Sequence, residues 1–403
     1  MISVAEALVK VKAGFSVVSS EQIGLADGLG RVLSEDVAAR VSHPPMAVSA
    51  MDGYAVRALD VAGAPVDLKQ IGESQAGAGF GGTVKTGETV RIFTGALLPE
   101  GADTIVMQEN TKADGAQIQI NESVEPGKFV RPAGMDFSEG ELLLKAGTIL
   151  SARDLGLVAA MNVPSLKVRR RPRVAFTATG EELSMPGGNL SPDQIVSSNS
   201  FAVAAYIETL GGVPLNLGIT RDDEGSLRQV IASAKGADLL LTIGGASVGD
   251  YDFVSKLMVE SEANLSFYKV AMRPGKPLIF GRLGGVPLLG LPGNPVSVGV
   301  TAIIFLKAAM NTMLGADEAE AMENAVLGCE LPANDHRQDY LRAVFAHDAE
   351  GHSVVRPFGP QDSAMMARLA EADCLVIRPP EAPAAKAGDR VDILRFLLGT
   401  RTF

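Results

Sequence analysis

The rhythm of hydrophobic and polar positions changes several times along the chain. Ser3-Val4-Ala5-Glu6 precedes an amphipathic run. Ser at the cap with Glu three residues on is a capping box, each side chain satisfying an orphan backbone N–H, and it predicts a helix to about Lys12. Residues 28–41 read as turn and strand. From about Ser42 to Arg131 the pattern breaks into short strand-like runs at 90–93, 104–108 and the alternating Gln117–Ile120. Glycines (Gly77, Gly79, Gly81, Gly82, Gly87) and turns such as Pro99-Glu100-Gly101 separate them. A small, mostly β domain inserted into the first domain is expected. Residues 132–171 would then return to that first domain, with a helix near Ala152–Ala160.

From Pro172 strand and helix patterns alternate. Residues 173–178, 213–219 and 238–243 read as strands. Residues 201–210, opened by Ser198-Asn199-Ser200 and closed by Gly211-Gly212, and residues 226–234 read as helices. A helix is expected near Asp250, then strands near Lys269, Leu278 and Leu288, then a helix from Pro295. Continuous apolar strands between helices imply a parallel sheet covered on both faces. The last stretch returns to short strands at 340–346, 353–356, Cys374–Arg378 and 390–394, around a helix near 363–370. The predicted fold is therefore multi-domain α/β and β. It comprises an elongated, discontinuous N-terminal domain (1–41 and 132–171), a β-rich insertion domain (42–131), a doubly wound α/β domain (172–315) and a small, barrel-like C-terminal β domain (316–403).

Composition narrows the function classes. The 403 residues carry a net charge of −11 and no basic stripe, which argues against nucleic acid as a partner. The one basic run, Lys167-Val168-Arg169-Arg170-Arg171, is short and reads as the flank of a domain junction. Two separated cysteines, Cys329 and Cys374, exclude a disulfide framework and a cysteine-rich zinc site, and fit a reducing cytoplasm. His43, His336, His347 and His352 have no metal-ligand spacing. The longest apolar stretch, 296–310, is interrupted by Ser297, Gly299, Thr301 and Lys307 and reads as a buried helix rather than a membrane span.

Ligands in open α/β sheets bind beyond the carboxyl ends of the strands. Four predicted strand ends are rich in special residues: Thr179-Gly180-Glu181-Glu182, Thr220-Arg221-Asp222-Asp223, Gly244-Gly245-Ala246-Ser247-Val248-Gly249-Asp250-Tyr251-Asp252, and Leu291-Pro292-Gly293-Asn294-Pro295-Val296-Ser297. Consecutive glycines expose backbone N–H groups as an anion nest. Asn294 reads as an N-cap and Pro295 as a first-turn proline, leaving helix amides and a dipole that favour an anion. Each feature alone can be a turn or a cap. Together they place two anion-binding loops and several carboxylates on one sheet edge, where a cation such as Mg²⁺ would relieve repulsion between acids and phosphate. The insertion holds a second set: Ser49-Ala50-Met51-Asp52-Gly53, Thr94-Gly95 and Arg131-Pro132-Ala133-Gly134-Met135-Asp136.

In this order these motifs, with Arg273-Pro274-Gly275-Lys276-Pro277, closely resemble the molybdopterin molybdenumtransferase family, which includes the E domain of gephyrin. The resemblance spans essentially the whole chain. It implies adenylylated molybdopterin and molybdate as substrates, with metal insertion and Mg²⁺-dependent release of AMP. It implies Asp252, Asp222, Glu182 and Asp136 as active-site acids, with Glu182, Asp222 and Asp252 at the metal, and Asp52 and Thr94 as site residues of the insertion. Thr179, Gly180, Gly244, Gly245, Ser247, Lys269, Arg273, Lys276, Pro292, Asn294, Pro295 and Ser297 would bind substrate, with Arg342 and Ser363 at the molybdate end. Arg273 stands where a lysine is often found, and Val196-Ser197-Ser198-Asn199 lacks the aspartate that commonly precedes this Ser-Asn pair. The resemblance further implies a homodimer whose composite site brings Asp52 and Thr94 to the partner's Asp252. A molybdopterin adenylyltransferase and apo-molybdoenzymes would be functional partners. The alternatives are an adenylyltransferase, which the glycine-loop block alone also resembles, and a non-catalytic cofactor-binding scaffold.

Overall fold

The computed structural model describes residues 1–221, 223–244, 264–316 and 322–396. Its central element is a six-stranded sheet of β1 (Arg173–Thr179), β2 (Val213–Thr220), β3 (Leu239–Ile243), β4 (Asn264–Tyr268), β5 (Ile279–Leu283) and β6 (Val286–Leu291), in the spatial order β2-β1-β3-β6-β5-β4. The twofold alternation of a strand explains how it is covered on both sides. Val174, Phe176 and Ala178 of β1 face a core that includes Val203 and Ile207 of helix Asn199–Thr209 and Phe305 and Met310 of the C-terminal helix of this domain. Ala175, between them, faces the opposite core with Val230 of helix Glu224–Ser233.

The pairings β2-β1, β1-β3 and β3-β6 are parallel, as the apolar strands imply, but β6-β5 and β5-β4 are antiparallel. Gly284 and Gly285 explain the departure. Both have positive φ, 58° and 82°, and a two-residue turn of this hand closes β5 onto β6 as a hairpin.

The predicted buried helix is one continuous element from Pro295 to Leu314, with a widened π-type segment at Ala302–Leu306. It is long and apolar enough to cross a membrane, but Val296, Val300, Phe305, Leu306 and Met310 are fully buried in the core.

The N-terminal helix, Val4–Ala13, carries the predicted capping box, with reciprocal Ser3–Glu6 bonds. Its apolar face (Val4, Ala7, Val11) packs into the α/β core rather than into the elongated N-terminal domain, a linker between the others, with which the sequence groups it. The linker joins distant segments: Ser20–Gly24 pairs with Ser165–Arg169, and Val37–Ala38 with Leu142–Leu144. Helix Ala152–Ala160 closes its core through Val158. At its junction with the α/β domain, Arg170 makes two 2.7 Å bonds to Asp238.

The insertion is a sheet in the order Thr104–Met107, Gly53–Val56, Glu88–Ile92, Val66–Ser74, Gln117–Ile120, Thr111–Asp114. The long strand Val66–Ser74 escaped the sequence reading because its burial pattern is irregular rather than alternating. The C-terminal domain is a sheet built on Gln338–His347, Cys374–Arg378, Arg390–Arg395 and Met322–Val326, with Ser353–Pro357 paired to the first. Met272–Arg273, from the α/β domain, adds a parallel edge to it. Two domains are thereby hydrogen-bonded together beside the sheet end.

Candidate active site

A cavity of 880 Å³ opens beyond the carboxyl ends of β1, β3 and β6, between the α/β and C-terminal domains. Three strand ends converge on it. Gly244 donates its N–H to the Leu291 carbonyl at 3.1 Å, and with φ 89° its Cα faces Thr179 so closely that a Cβ would stand 2.9 Å from that residue's carbonyl oxygen. Any side chain there would push β1 and β3 apart. Gly180, with φ 144°, lets the Glu182 carboxylate fold over it: a Cβ would meet Glu182 Oε2 at 2.5 Å. Thr179 lines the cleft, and among the described residues its Oγ1 is buried without a hydrogen-bond partner, as is Thr242 Oγ1. Leaving such a group unpaired costs about 1–3 kcal/mol, so a bound polar group would relieve it.

The rim opposite β1 comes from the helix starting at Pro295. Asn294 occupies the N-cap and Pro295 the first turn, as expected, but the Asn294 side chain makes no cap bond. It donates instead to Ser363 Oγ at 2.8 Å, while the Val296 N–H donates to the Ser363 carbonyl at 3.0 Å. The helix start is thus partly closed by the C-terminal domain rather than left open to an anion. Asn199 secures the same corner by donating to the Gly293 carbonyl at 2.7 Å. Pro292 and Ser297 also line the cavity.

The remaining wall carries three basic side chains beside Asp362. Arg273, Lys276 and Arg337 line it. Arg273 donates to Asp339 and, at 3.2 Å each, to Asp335 Oδ2 and Asn334 Oδ1. The Asp339 carboxylate beside it raises the Arg273 pKa above its ordinary value, keeping the guanidinium charged. Arg342 does not reach the cavity wall. It is 1% exposed and supports the 358–365 loop from behind, donating through Nε to Gln361 Oε1 at 3.2 Å and through Nη1 to the Met365 carbonyl at 3.1 Å. Burial lowers its pKa. Lys269 also lies off the wall, its ammonium 4.4 Å from the centre of the Tyr268 ring.

Of the other residues singled out from the sequence, Asp222, Gly245, Ser247 and Asp252 lie outside the described residues. Asp52 and Thr94 come together in the insertion: one Asp52 oxygen accepts from the Thr94 N–H at 2.7 Å and from its hydroxyl at 2.8 Å. Those bonds, the N–H first, hold the Asp52 carboxyl below its ordinary pKa. Asp136 lines a separate cavity of 590 Å³ with Gly95, Leu97 and Arg131, and the two cavities share no lining residue. Among the described residues no group of three or more His, Cys, Asp or Glu side chains is gathered closely enough to hold a metal. The sequence reading missed Arg337, Gln361 and Asp362 as lining residues. They lie in polar loops that meet the cleft only once the C-terminal domain docks.

Known proteins match this chain over most of its length. The MoeA N-terminal region (domain I and II) matches residues 2–162, a probable molybdopterin binding domain matches 175–312, and the MoeA C-terminal region (domain IV) matches 324–396. A molybdopterin molybdenumtransferase of Nostoc sp. is 36% identical over 93% of this chain and 88% of its own length. One from Haemophilus influenzae is 32% identical over 94% and 95%. The chain belongs to the molybdopterin molybdenumtransferase family. The crystal structure of a molybdopterin biosynthesis MoeA protein from Pyrococcus horikoshii superposes with a TM-score of 0.85 at 27% identity, covering 98% of this chain and all of that one. The chain is accordingly a transferase of molybdenum cofactor biosynthesis, with the multi-domain α/β and β fold that the family structures share.

Proposed function

We infer that this molybdopterin molybdenumtransferase acts in the cleft between the α/β and C-terminal domains, inserting molybdate into adenylylated molybdopterin and releasing AMP. The observation that carries the reading is the meeting of three basic side chains (Arg273, Lys276, Arg337) with the Glu182 carboxylate and a Thr179 hydroxyl that has no partner among the described residues, at converging strand ends. Fixed cations favour anionic phosphate and oxyanion groups, and preorganised donors stabilise charge as the anhydride breaks. In this reading Thr179, Gly180, Gly244 and the 292–297 turn bind the pterin phosphate side, together with Gly245 and Ser247. Ser363, tied to Asn294, faces molybdate, and Arg342 supports its loop.

Mg²⁺ takes one or two carboxylates plus phosphate oxygens, and Glu182 is a carboxylate that the cleft offers it. Glu182 would hold it together with Asp222 and Asp252; when bound, it neutralises charge on the phosphate oxygens. Asp52, Thr94 and Asp136 belong to the separate insertion surface, and we assign them to a composite site completed across a homodimer. A cytoplasmic location, with a molybdopterin adenylyltransferase upstream and apo-molybdoenzymes downstream, completes the proposal.

AMP release from adenylylated molybdopterin, measured with and without molybdate and Mg²⁺, tests it. Release that requires both is expected. ATP consumption with free molybdopterin and no need for molybdate would move the assignment to adenylylation. Tight molybdopterin binding with no AMP release would indicate a scaffold.

A further inference from the structure

The basic side chains of the cleft pose an electrostatic problem of their own. Arg273 arrives from the α/β domain and Arg337 from the C-terminal domain, yet both line the same cavity. Two guanidinium groups brought together repel unless an anion lies between them. Asp335 is that anion. Its Oδ2 accepts from Arg337 Nη2 at 2.6 Å and from Arg273 Nη1 at 3.2 Å, and its Oδ1 accepts from Arg337 Nε at 3.3 Å and from the Arg337 backbone N–H at 2.9 Å.

The carboxylate is itself held in place. Asn334 Oδ1 accepts from the Asp335 N–H at 2.9 Å and from Arg273 Nη2 at 3.2 Å. Asn334 Nδ2 donates to three carbonyls, those of Arg337, Arg378 and Pro379. A guanidinium has five N–H donors. The bonds to Asp335, Asn334 and Asp339 leave Arg337 Nη1 and Arg273 Nε with no protein partner among the described residues. The geometry is that of a shared counter-ion fixing two cations while leaving a donor on each.

We propose that Asp335 is a positioning residue of the reaction, holding the guanidinium groups of Arg273 and Arg337 side by side across the domain boundary as a paired clamp for the molybdate oxyanion. The proposal rests on the reading of this cleft as the substrate site. It makes Asp335 act through the arginines rather than on the substrate, so its removal loosens anion binding more than it slows chemistry.

The test is steady-state AMP release by the full chain as a function of molybdate concentration, together with melting temperature, for the wild type and for Asp335→Ala, Asp335→Asn, Arg337→Ala and the Asp335→Ala/Arg337→Ala double variant. Asp335→Ala should raise the KM for molybdate about tenfold and lower kcat less than about threefold, and Asp335→Asn, which keeps the acceptor shape, should recover part of the loss. The double variant should fall short of the sum of the two single effects, since groups acting as a unit are non-additive, while exceeding Arg337→Ala because Asp335 also holds Arg273. An unchanged KM in Asp335→Ala, additive effects in the double variant, or a fall in melting temperature and kcat alone would overturn the positioning role and leave the cleft assignment intact. A wild type without molybdate-dependent AMP release would instead overturn the cleft assignment, and this proposal with it.

Discussion

The two acid-bearing surfaces of the molecule are built on opposite plans. In the insertion, Asp52 is satisfied by a single residue, and all its tight contacts come from Thr94 within one small sheet. In the main cleft, Glu182, Thr179, Gly244, Arg273 and Arg337 arrive from several strand ends and two domains. The first surface is preformed by local folding, with Arg131 lining its cavity and Arg91 acting on Asp52. The second exists only when the domains dock. Fixed donors and cations stabilise charge developing on an anhydride, which is why the proposed centre lies in the cleft.

That contrast can be broken most directly at Glu182. Glu182→Gln should lower the turnover of AMP release about 100-fold, or roughly 2.7 kcal/mol of transition-state stabilisation, with circular dichroism unchanged because the side chain is exposed. A turnover within threefold of wild type would remove Glu182 from the centre. The next effect is on stability. A Cβ on Gly53 would stand 2.0 Å from the Val106 carbonyl oxygen of the paired strand. Gly53→Ala should therefore cost about 2–3 kcal/mol in urea unfolding, and the damage should centre on the insertion, with hydrogen exchange protection lost there before the α/β core. Uniform loss across the chain would show that the insertion is not an independently built surface.

The smallest effect is on proton binding. Removing one donor with Thr94→Ala should raise the pKa of Asp52 toward the ordinary carboxyl value, read by carbon NMR titration of the side chain. The sign follows from linkage: because the folded-state pKa is lowered, the Thr94 contacts stabilise the fold above the unfolded carboxyl range and are lost as pH falls through the folded value. The variant should thus lose part of an acid-range stability slope. An unmoved Asp52 titration would mean that the backbone N–H of residue 94 alone sets it.

Much of this architecture is legible in the chain because it is written locally. The Ser3–Glu6 capping box, the helix Ala152–Ala160, the apolar β1 and the glycine-rich strand ends each depend on residues a few positions apart. Local periodicity and capping set them, and the motifs at the strand ends give the class of chemistry. Even the antiparallel edge was encoded, in Gly284-Gly285, though it passed unread.

What depended on distant partners was decided elsewhere. Asn294 has the identity of an N-cap, but Ser363, brought by a different domain, takes its side chain. Arg342 carries a charge suited to anions, but burial behind Gln361 turns it to supporting a loop. Arg337 gives no local sign of a site and comes to line the cleft only where the C-terminal domain meets Arg273. The sequence by itself determined the elements, the domain classes and the candidate strand-end residues, because backbone propensity and hydrophobic rhythm are short-ranged. Only the tertiary structure decided which side chains share one cleft, because that follows from packing between residues far apart in the chain.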